Sequence, residues 1–356
     1  MAFLLIAGVF FLPVFFLFQG SLSILEGQVS LAGVKVPLTI LRDIKGVPTI
    51  KASNREDTAY ALGFLHGQER FFQMDLLRRT SAGELSDLFG KRAIRHDKKI
   101  RLHQFRKRAT DAFENMPPVH QQILSHYTMG VNQGLEALGQ LPFEYFLLQG
   151  QAQPWQVQDS LLVLYSMYID LQPIWGQSER SLAVMKDLLP KDWFTFLTSQ
   201  GGYWDSPIEG LAYKENTIIP MKPLSLFQEK SPPQNHASAN TDRIRSGSNY
   251  TDQIHYGSNN WSVSGALTSH GAGMVANDMH LGLGVPNIWY RASWYLEDGR
   301  RITGVSLPGT PAMIAGSNER VAWGFTNSQG DYSDVIILKT REPNQYLTPQ
   351  GWKEFI

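Results

Sequence analysis

The chain has 356 residues, 43% apolar and 18% charged, with 32 basic side chains balancing 32 acidic ones. That balance excludes a disordered tail and a nucleic-acid binder that works by bulk charge. It has no cysteine, which excludes disulfides, thiolate metal sites and cysteine nucleophiles and leaves the chemistry to Ser, His, Asn, Asp or Glu.

Met1 to Phe18 is an apolar run without a charge. Its length lies between a signal-peptide core and a membrane span. No Lys or Arg precedes it, no small-x-small cleavage site follows it, and Pro13 would kink a spanning helix. Residues 1–20 therefore read as a signal peptide or a membrane anchor, with cleavage and anchoring both open. The expected location is exported: periplasmic, or membrane-associated through residues 1–18 with the body outside.

Val34 to Ile50 carries β-branched residues interrupted at Gly46 and Pro48, a hairpin pattern. Asn54 suits a helix cap, and Ala59 to Arg79 has the composition of one helix. Gly63, Gly67 and Phe71 share a face of it, a spacing that serves close helix packing. Lys91 to Arg108 holds nine Lys and Arg against one Asp. A solvated face of two helices explains this better than an anion or membrane-surface patch. Helices are predicted over Pro118–Leu138, Asp159–Ile169, Ser178–Leu189 and Trp193–Leu197, so residues 21–212 read as mainly helical.

Residues 213–257 read as a linker, with Pro232-Pro233 and many Ser and Asn between Pro223 and Asp252. Strand-like runs follow at Trp261–Ser264, Gly273–Ala276, Ile288–Leu296, Arg301–Leu307, Ala312–Ala315, Val321–Thr326 and Val335–Leu338. The chain closes on a hairpin-like Thr348–Gly351, with Trp352 and Phe355 opening another strand. A domain rarely ends on such a segment, so a fragment or early termination is expected.

No G-x-S-x-G elbow, S-x-x-K dyad, P-loop, G-x-G-x-x-G or H-E-x-x-H pattern occurs. His120 with His126, and His270 with His280, read as chance pairs rather than metal ligands. The informative segment is Tyr256-Gly-Ser-Asn-Asn-Trp-Ser-Val-Ser-Gly265, a Gly-Ser step that opens from the linker into a strand. Taken alone it is an ordinary loop-to-strand junction, with Asn259 and Asn260 in a turn and Trp261 as a core anchor.

In its sequence context the segment resembles the processing site of the penicillin acylase family of N-terminal-nucleophile (Ntn) hydrolases. Val47-Pro-Thr-Ile50, Gly63-Phe-Leu-His-Gly-Gln-Glu-Arg-Phe-Phe-Gln-Met-Asp75 and Arg78-Arg-Thr-Ser-Ala-Gly-Glu-Leu85 resemble the start of that family's α-chain. After Ser258 come Ala276-Asn-Asp-Met-His-Leu281, Pro286-Asn-Ile-Trp289, Leu307-Pro-Gly-Thr-Pro311, Gly316-Ser-Asn-Glu-Arg320 and Ala322-Trp-Gly-Phe-Thr-Asn327, in family order. The resemblance runs from about Val34 to the C-terminus. It implies an α+β fold, the αββα sandwich, with a helical α-chain segment followed by a β-rich nucleophile segment at 258–356.

The resemblance further implies self-cleavage between Gly257 and Ser258, giving α and β chains from one precursor. A glycine before the nucleophile tolerates the strained geometry such a peptide needs. The freed α-amine of Ser258 would titrate near 7.7–8.0 and act as base for its own hydroxyl. The substrate is expected to be a small N-acyl compound: a penicillin, an acyl-homoserine lactone or another acylated amine. By resemblance the Asn327 backbone N–H is an oxyanion donor and His280 lies near the nucleophile's amine, while Asn260 and Trp261 hold the first turn. Some family members bind calcium, and the matching positions are Glu179, Asp331, Asp334 and the Ser333 carbonyl; solvated surface acids are the alternative there. No organic cofactor and no nucleic acid are expected. One departure stands out. Family β-chains are several times longer than the stretch after Ser258, so an incomplete sandwich without the family's second oxyanion donor, an Asn side chain far downstream, is expected. A catalytically inactive chain serving as an anchored binding or scaffold module is the competing reading.

Overall fold

The computed structural model describes residues 15–16, 18–34, 36–172, 175–199, 201–202, 210–211, 218–221, 258–327, 330 and 332–355. Most of the predicted linker, all but residues 218–221, and most of the N-terminal apolar run therefore lie outside the described residues. Among the described residues no helix is long and apolar enough to cross a membrane. The chain divides into two compact units, one formed by residues 1–171 with 255–328 and the other by 172–254 with 329–356.

In the first unit, β1 (Thr39–Arg42) and β2 (Pro48–Ala52) form the expected hairpin, turning at Gly46 with φ +77°. Asn54 caps α1 (Arg55–Glu69) by accepting from the Asp57 N–H at 2.8 Å. The single helix expected to run to Arg79 is instead two. Arg70 leaves helical geometry at φ −138°, and α2 (Phe71–Ala82) begins after it. The Arg70 guanidinium there donates to the Asn287 carbonyl at 2.6 Å, so a tertiary contact holds the break.

The helices that follow are α3 (Ser86–Phe89), α4 (Ile94–Arg101), α5 (Phe105–Glu114), α6 (Pro118–Glu136), α7 (Phe143–Leu148) and α8 (Asp159–Leu171). The glycine face of α1 packs on α6. A Cβ on Gly63 would lie 2.2 Å from the Tyr127 carbonyl oxygen, and one on Gly67 2.3 Å from that of Val131. The contact is reciprocal, because Gly130 and Gly134 of α6 approach the carbonyls of Tyr60 and Phe64 at 2.0 and 2.2 Å on the same construction. Phe71 belongs to the next helix, so the predicted face contains only the two glycines.

The remaining strands of this unit are β3 (Ser258–Val263), β4 (Met274–Met279), β5 (Tyr290–Leu296), β6 (Arg301–Ser306), β7 (Met313–Ser317) and β8 (Ala322–Trp323). Six strands form one sheet in the order β1-β2-β5-β6-β7-β8, with β2 and β5 parallel and the other neighbours antiparallel. The N-terminal hairpin thus shares a sheet with strands that follow Ser258. The core lies between this sheet and the helices, with Ile50, Leu62, Leu65, Phe71, Tyr127, Val131, Trp155, Val163, Ala292 and Leu307 all buried.

His66 sits at the centre of that core. Its Nδ1 lies 2.7 Å from the Tyr127 hydroxyl and its Nε2 3.1 Å from Ser306 Oγ. Tyr127 also accepts from the Gly309 N–H at 2.9 Å, and Ser306 donates to the Tyr290 carbonyl at 3.2 Å. Since Ser306 spends its proton on Tyr290, His66 must donate from Nε2 and accept from Tyr127 at Nδ1. Complete burial, with Arg70 nearby, pushes the imidazole pKa down to about 3.

A second buried network explains the Arg78–Leu85 motif. Asp75, fully buried, accepts from Arg78 at 2.7 Å, Arg79 at 2.9 Å and the Tyr145 hydroxyl at 2.6 Å. Arg78 continues to Asp159 at 2.5 Å, and Arg106 joins Asp159 at 3.1 Å to Glu84 at 2.6 Å. These residues clamp α2, α5 and α8 together. The basic stretch from Lys91 to Arg108 is therefore only partly a solvated face, because Arg106 reaches the buried Asp159 and Asp97 is itself buried, accepting from the Ser86 N–H.

The second unit contains α9 (Gln177–Leu188), α10 (Lys191–Leu197) and a three-stranded sheet of β9 (Thr340–Arg341), β10 (Gln345–Thr348) and β11 (Gly351–Glu354). The hairpin at Thr348–Gly351 forms as expected. The run Val335–Leu338 is not a strand, and its side chains are exposed rather than paired. Val321–Thr326 contracts to the two residues of β8 for a different reason, given below.

Candidate active site

Ser258 is the first residue of β3 and is half-buried. The strand forms earlier than the sequence suggested, from Ser258 rather than Trp261. It pairs antiparallel with β4, Ser258 opposite Met279 and Asn260 opposite Asn277. The turn between them is tight: a Cβ on Gly265 would lie 2.3 Å from the Gly271 carbonyl oxygen, and Gly271 has φ +73°. His270 accepts from the Ala272 N–H at 3.2 Å within this turn. Trp261, expected as a core anchor, is instead 55% exposed, because its strand has no sheet on that side among the described residues.

His280 follows Met279, the residue opposite Ser258, and so lies at the Ser258 end of the hairpin. Its Nε2 pairs with Asp278 Oδ2 at 2.7 Å. Both side chains reach solvent, so the carboxylate orients the ring more than it stabilises the fold. The sequence signal for this pair is an Asp two residues before a candidate His.

Asn327 lies past β8, in the segment 324–327, and its Nδ2 donates to the Leu171 carbonyl at the end of α8 at 3.1 Å. This segment leaves the β-ladder and is held by Asn277 instead. Asn277 Nδ2 donates to the Asn259 carbonyl at 3.1 Å and to the Phe325 carbonyl at 3.0 Å. One nitrogen therefore bridges the residue after Ser258 and the residue two before Asn327. The replacement of ladder bonds by a side chain is why β8 is shorter than the predicted strand. Ser258, His280 and Asn327 thus belong to three chain segments joined at β4. Gly257 lies outside the described residues.

The calcium candidates fall in the second unit. A Cβ built on Gly176 would lie 3.3 Å from Glu179 Oε2 and 2.4 Å from Val335 Cγ2, so Glu179 stands beside the residue that follows Asp334. Glu179 Oε2 is buried and has no hydrogen-bond partner among the described residues. A carboxylate oxygen left so is the kind of group a hard cation would satisfy. Asp334 accepts from the Val335 N–H at 2.7 Å, Ser333 adjoins it, and Asp331 lies outside the described residues. Among the described residues no three His, Asp or Glu side chains group as a metal site. A cavity of about 500 Å³ in the first unit is lined by Arg55, Ile123, Trp294, Ile302 and Arg320 and holds none of Ser258, His280 or Asn327.

The chain matches the family model described as penicillin amidase over residues 37–356. It is 28% identical to penicillin acylase 2 proenzyme of Pseudomonas sp. (strain SE83), over 91% of this chain and 40% of that protein. It is 25% identical to acyl-homoserine lactone acylase QuiP of Pseudomonas aeruginosa, over 94% of this chain and 39% of that protein. Penicillin G acylase of Escherichia coli is 21% identical, over 90% and 42%. A solved structure of thermostable penicillin G acylase from Alcaligenes faecalis aligns with a TM-score of 0.43 at 20% identity, covering 49% of this chain and 97% of that one. The chain spans about 40% of the length of these curated relatives.

Proposed function

The chain belongs to the penicillin amidase family, and from that premise we propose that it is the nucleophile-bearing part of an acylase that hydrolyses N-acyl amides through an acyl-enzyme on Ser258. The observation that carries the proposal is the position of Ser258: first residue of a strand, directly after a glycine, with His280 and the Asn327 segment brought to its hairpin.

Cleavage of the Gly257–Ser258 peptide converts a backbone nitrogen into an α-amine on the nucleophile itself. Such an amine is partly neutral at pH 7 and takes the proton from Oγ, directly or through a water. Oγ adds to the amide carbonyl, and the Asn327 N–H stabilises the oxyanion. The C–N bond then breaks as the proton passes to the leaving amine. Water attacks the ester and releases the acid. In this proposal His280, oriented by Asp278, polarises the amine.

The substrate classes follow the relatives, whose names are penicillin acylase and acyl-homoserine lactone acylase. In this proposal Glu179 and Asp334, with Asp331 and the Ser333 carbonyl, hold a structural calcium ion, and residues 1–18 export the chain or tie it to a membrane. The calcium supplies charge neutralisation between chain segments and takes no part in the acyl transfer.

Time-resolved intact-mass measurement of the expressed chain tests the proposal. The expected result is two fragments, one beginning at Ser258, with none formed by Ser258→Ala. A wild-type chain that stays whole under native conditions overturns the proposal and favours the non-catalytic reading. Turnover of chromogenic phenylacetyl amides against long-chain acyl-homoserine lactones then ranks the substrates.

A further inference from the structure

We infer that Asn277 is a positioning residue that sets the spacing between the nucleophile strand and the oxyanion segment 325–327; the inference rests on the reading of Ser258 as nucleophile given above. The Asn277 carboxamide is half-buried on β4, opposite Asn260. Its nitrogen donates to the carbonyls of Asn259 and Phe325, at 3.1 and 3.0 Å, and its oxygen lies 3.4 Å from the Phe325 N–H. Only an NH₂ group can donate to two carbonyls, so the orientation of the amide is fixed by the network. The side chain engages both backbone groups of Phe325, as the peptide of a neighbouring strand would. Segment 324–327 thereby gains a lateral partner where β8 has left the ladder.

Two further features support a fixed spacing. A Cβ on Gly324 would lie 2.6 Å from Asn277 Cβ and Cγ, so Gly324 is what admits the carboxamide. The far end of the segment is tied by the Asn327 side chain to Leu171. The segment is held at Phe325 and at Asn327, and the backbone N–H proposed to bind the oxyanion belongs to the second of these. Asn277 touches no reacting atom; it acts through Asn259 on one side and Phe325 on the other. Oxyanion stabilisation depends on donor placement to a fraction of an ångström, which makes this bridge matter more to the transition state than to substrate binding.

The test compares Asn277→Asp and Gly324→Ala with the wild-type chain. Asn277→Asp keeps the shape but loses both donated bonds and turns a carboxylate on two carbonyl oxygens. Gly324→Ala displaces the carboxamide from the opposite side. Each variant is expected to slow cleavage at Gly257–Ser258 by roughly 10- to 100-fold, and to lower kcat on a phenylacetyl amide by a similar factor with KM within about twofold, as misplacement near 1 Å would. A merely structural role would instead lower the Tm and the active fraction while leaving kcat per active site unchanged, and that outcome overturns the inference. Wild-type rates in both variants overturn it as well. Ser258→Ala run in parallel keeps the two ideas apart: cleavage that stops in Ser258→Ala but proceeds normally in Asn277→Asp upholds the nucleophile and removes the positioning role.

Discussion

His66 shows what a single residue can do outside the proposed catalytic set. It lies inside the Gly63–Asp75 motif, yet its partners Tyr127 and Ser306 are 61 and 240 residues away. The motif was legible and the role was not, because a buried imidazole is defined by its partners. Its folded pKa of about 3 lies below the ordinary 6.5, so between these values the unfolded chain binds more protons. The contribution of His66 to stability is complete above pH 6.5 and declines as pH falls, by about 1.4 kcal/mol per pH unit. His103, also depressed by desolvation and by Arg108, adds in the same direction. Urea unfolding of the wild-type chain between pH 7 and 5 is expected to show this slope. His66→Phe should cost roughly 1–3 kcal/mol at pH 7 from lost hydrogen bonds, and the slope should shrink by the His66 share. An unchanged slope in the variant would assign the acid sensitivity to other groups. Ser258 is the opposite case: the Gly-Ser step and its ordered companions made it a candidate from sequence, whereas Asn277 stayed hidden because its partner Phe325 is 48 residues away.

At the scale of elements, the glycines of α1 and α6 state a steric condition that substitution can probe. The spacing of Gly63 and Gly67 marks a packing face, but nothing in one helix names its partner, so the reciprocal pair Gly130 and Gly134 is legible only in the fold. The helix break at Arg70 is hidden in the sequence for a related reason: Ala59 to Arg79 has uniform helix propensity, and a contact to Asn287, far along the chain, overrides it. A methyl group on Gly63 would overlap backbone, not a side chain that can move aside. Gly63→Ala must therefore separate the helices or bend them. Overpacking of this kind costs about 1–3 kcal/mol, which for a unit of this size lowers the Tm by roughly 3–10 °C. Gly282→Ala is the control, because a Cβ there meets nothing within 4 Å; its Tm should match wild type within about 1 °C. Equal Tm values for both variants would show that the close approach of α1 and α6 does not hold in solution.

At the scale of the whole molecule, the helical-then-β texture was readable from composition, while the sheet that combines both halves was not. The parallel pairing of β2 with β5 joins Thr49 to Ser293, and no local pattern encodes a contact of that range. The consequence is an uneven distribution of stability. β5 buries Tyr290, Ala292 and Leu296 against the helices. The β3–β4 ribbon, which carries Ser258 and leads to His280, exposes four of six residues of β3, with Met274 and Val275 of β4 44% and 40% exposed. A two-stranded ribbon without a buried face is marginal in water, and backbone protection follows local burial. In the Ser258→Ala chain, which the proposed mechanism leaves whole, hydrogen exchange is therefore expected to be roughly 100-fold faster in the 258–263 and 274–279 peptides than in 290–296, a difference of about 3 kcal/mol in opening free energy. Asn277→Asp should raise exchange further at 258–263 and 323–327 and leave 290–296 unchanged, because the bridge to Phe325 is what couples the ribbon to β8. Equal protection of ribbon and sheet would mean that they open as one cooperative unit, and that Ser258 sits on a platform as rigid as the core beneath it.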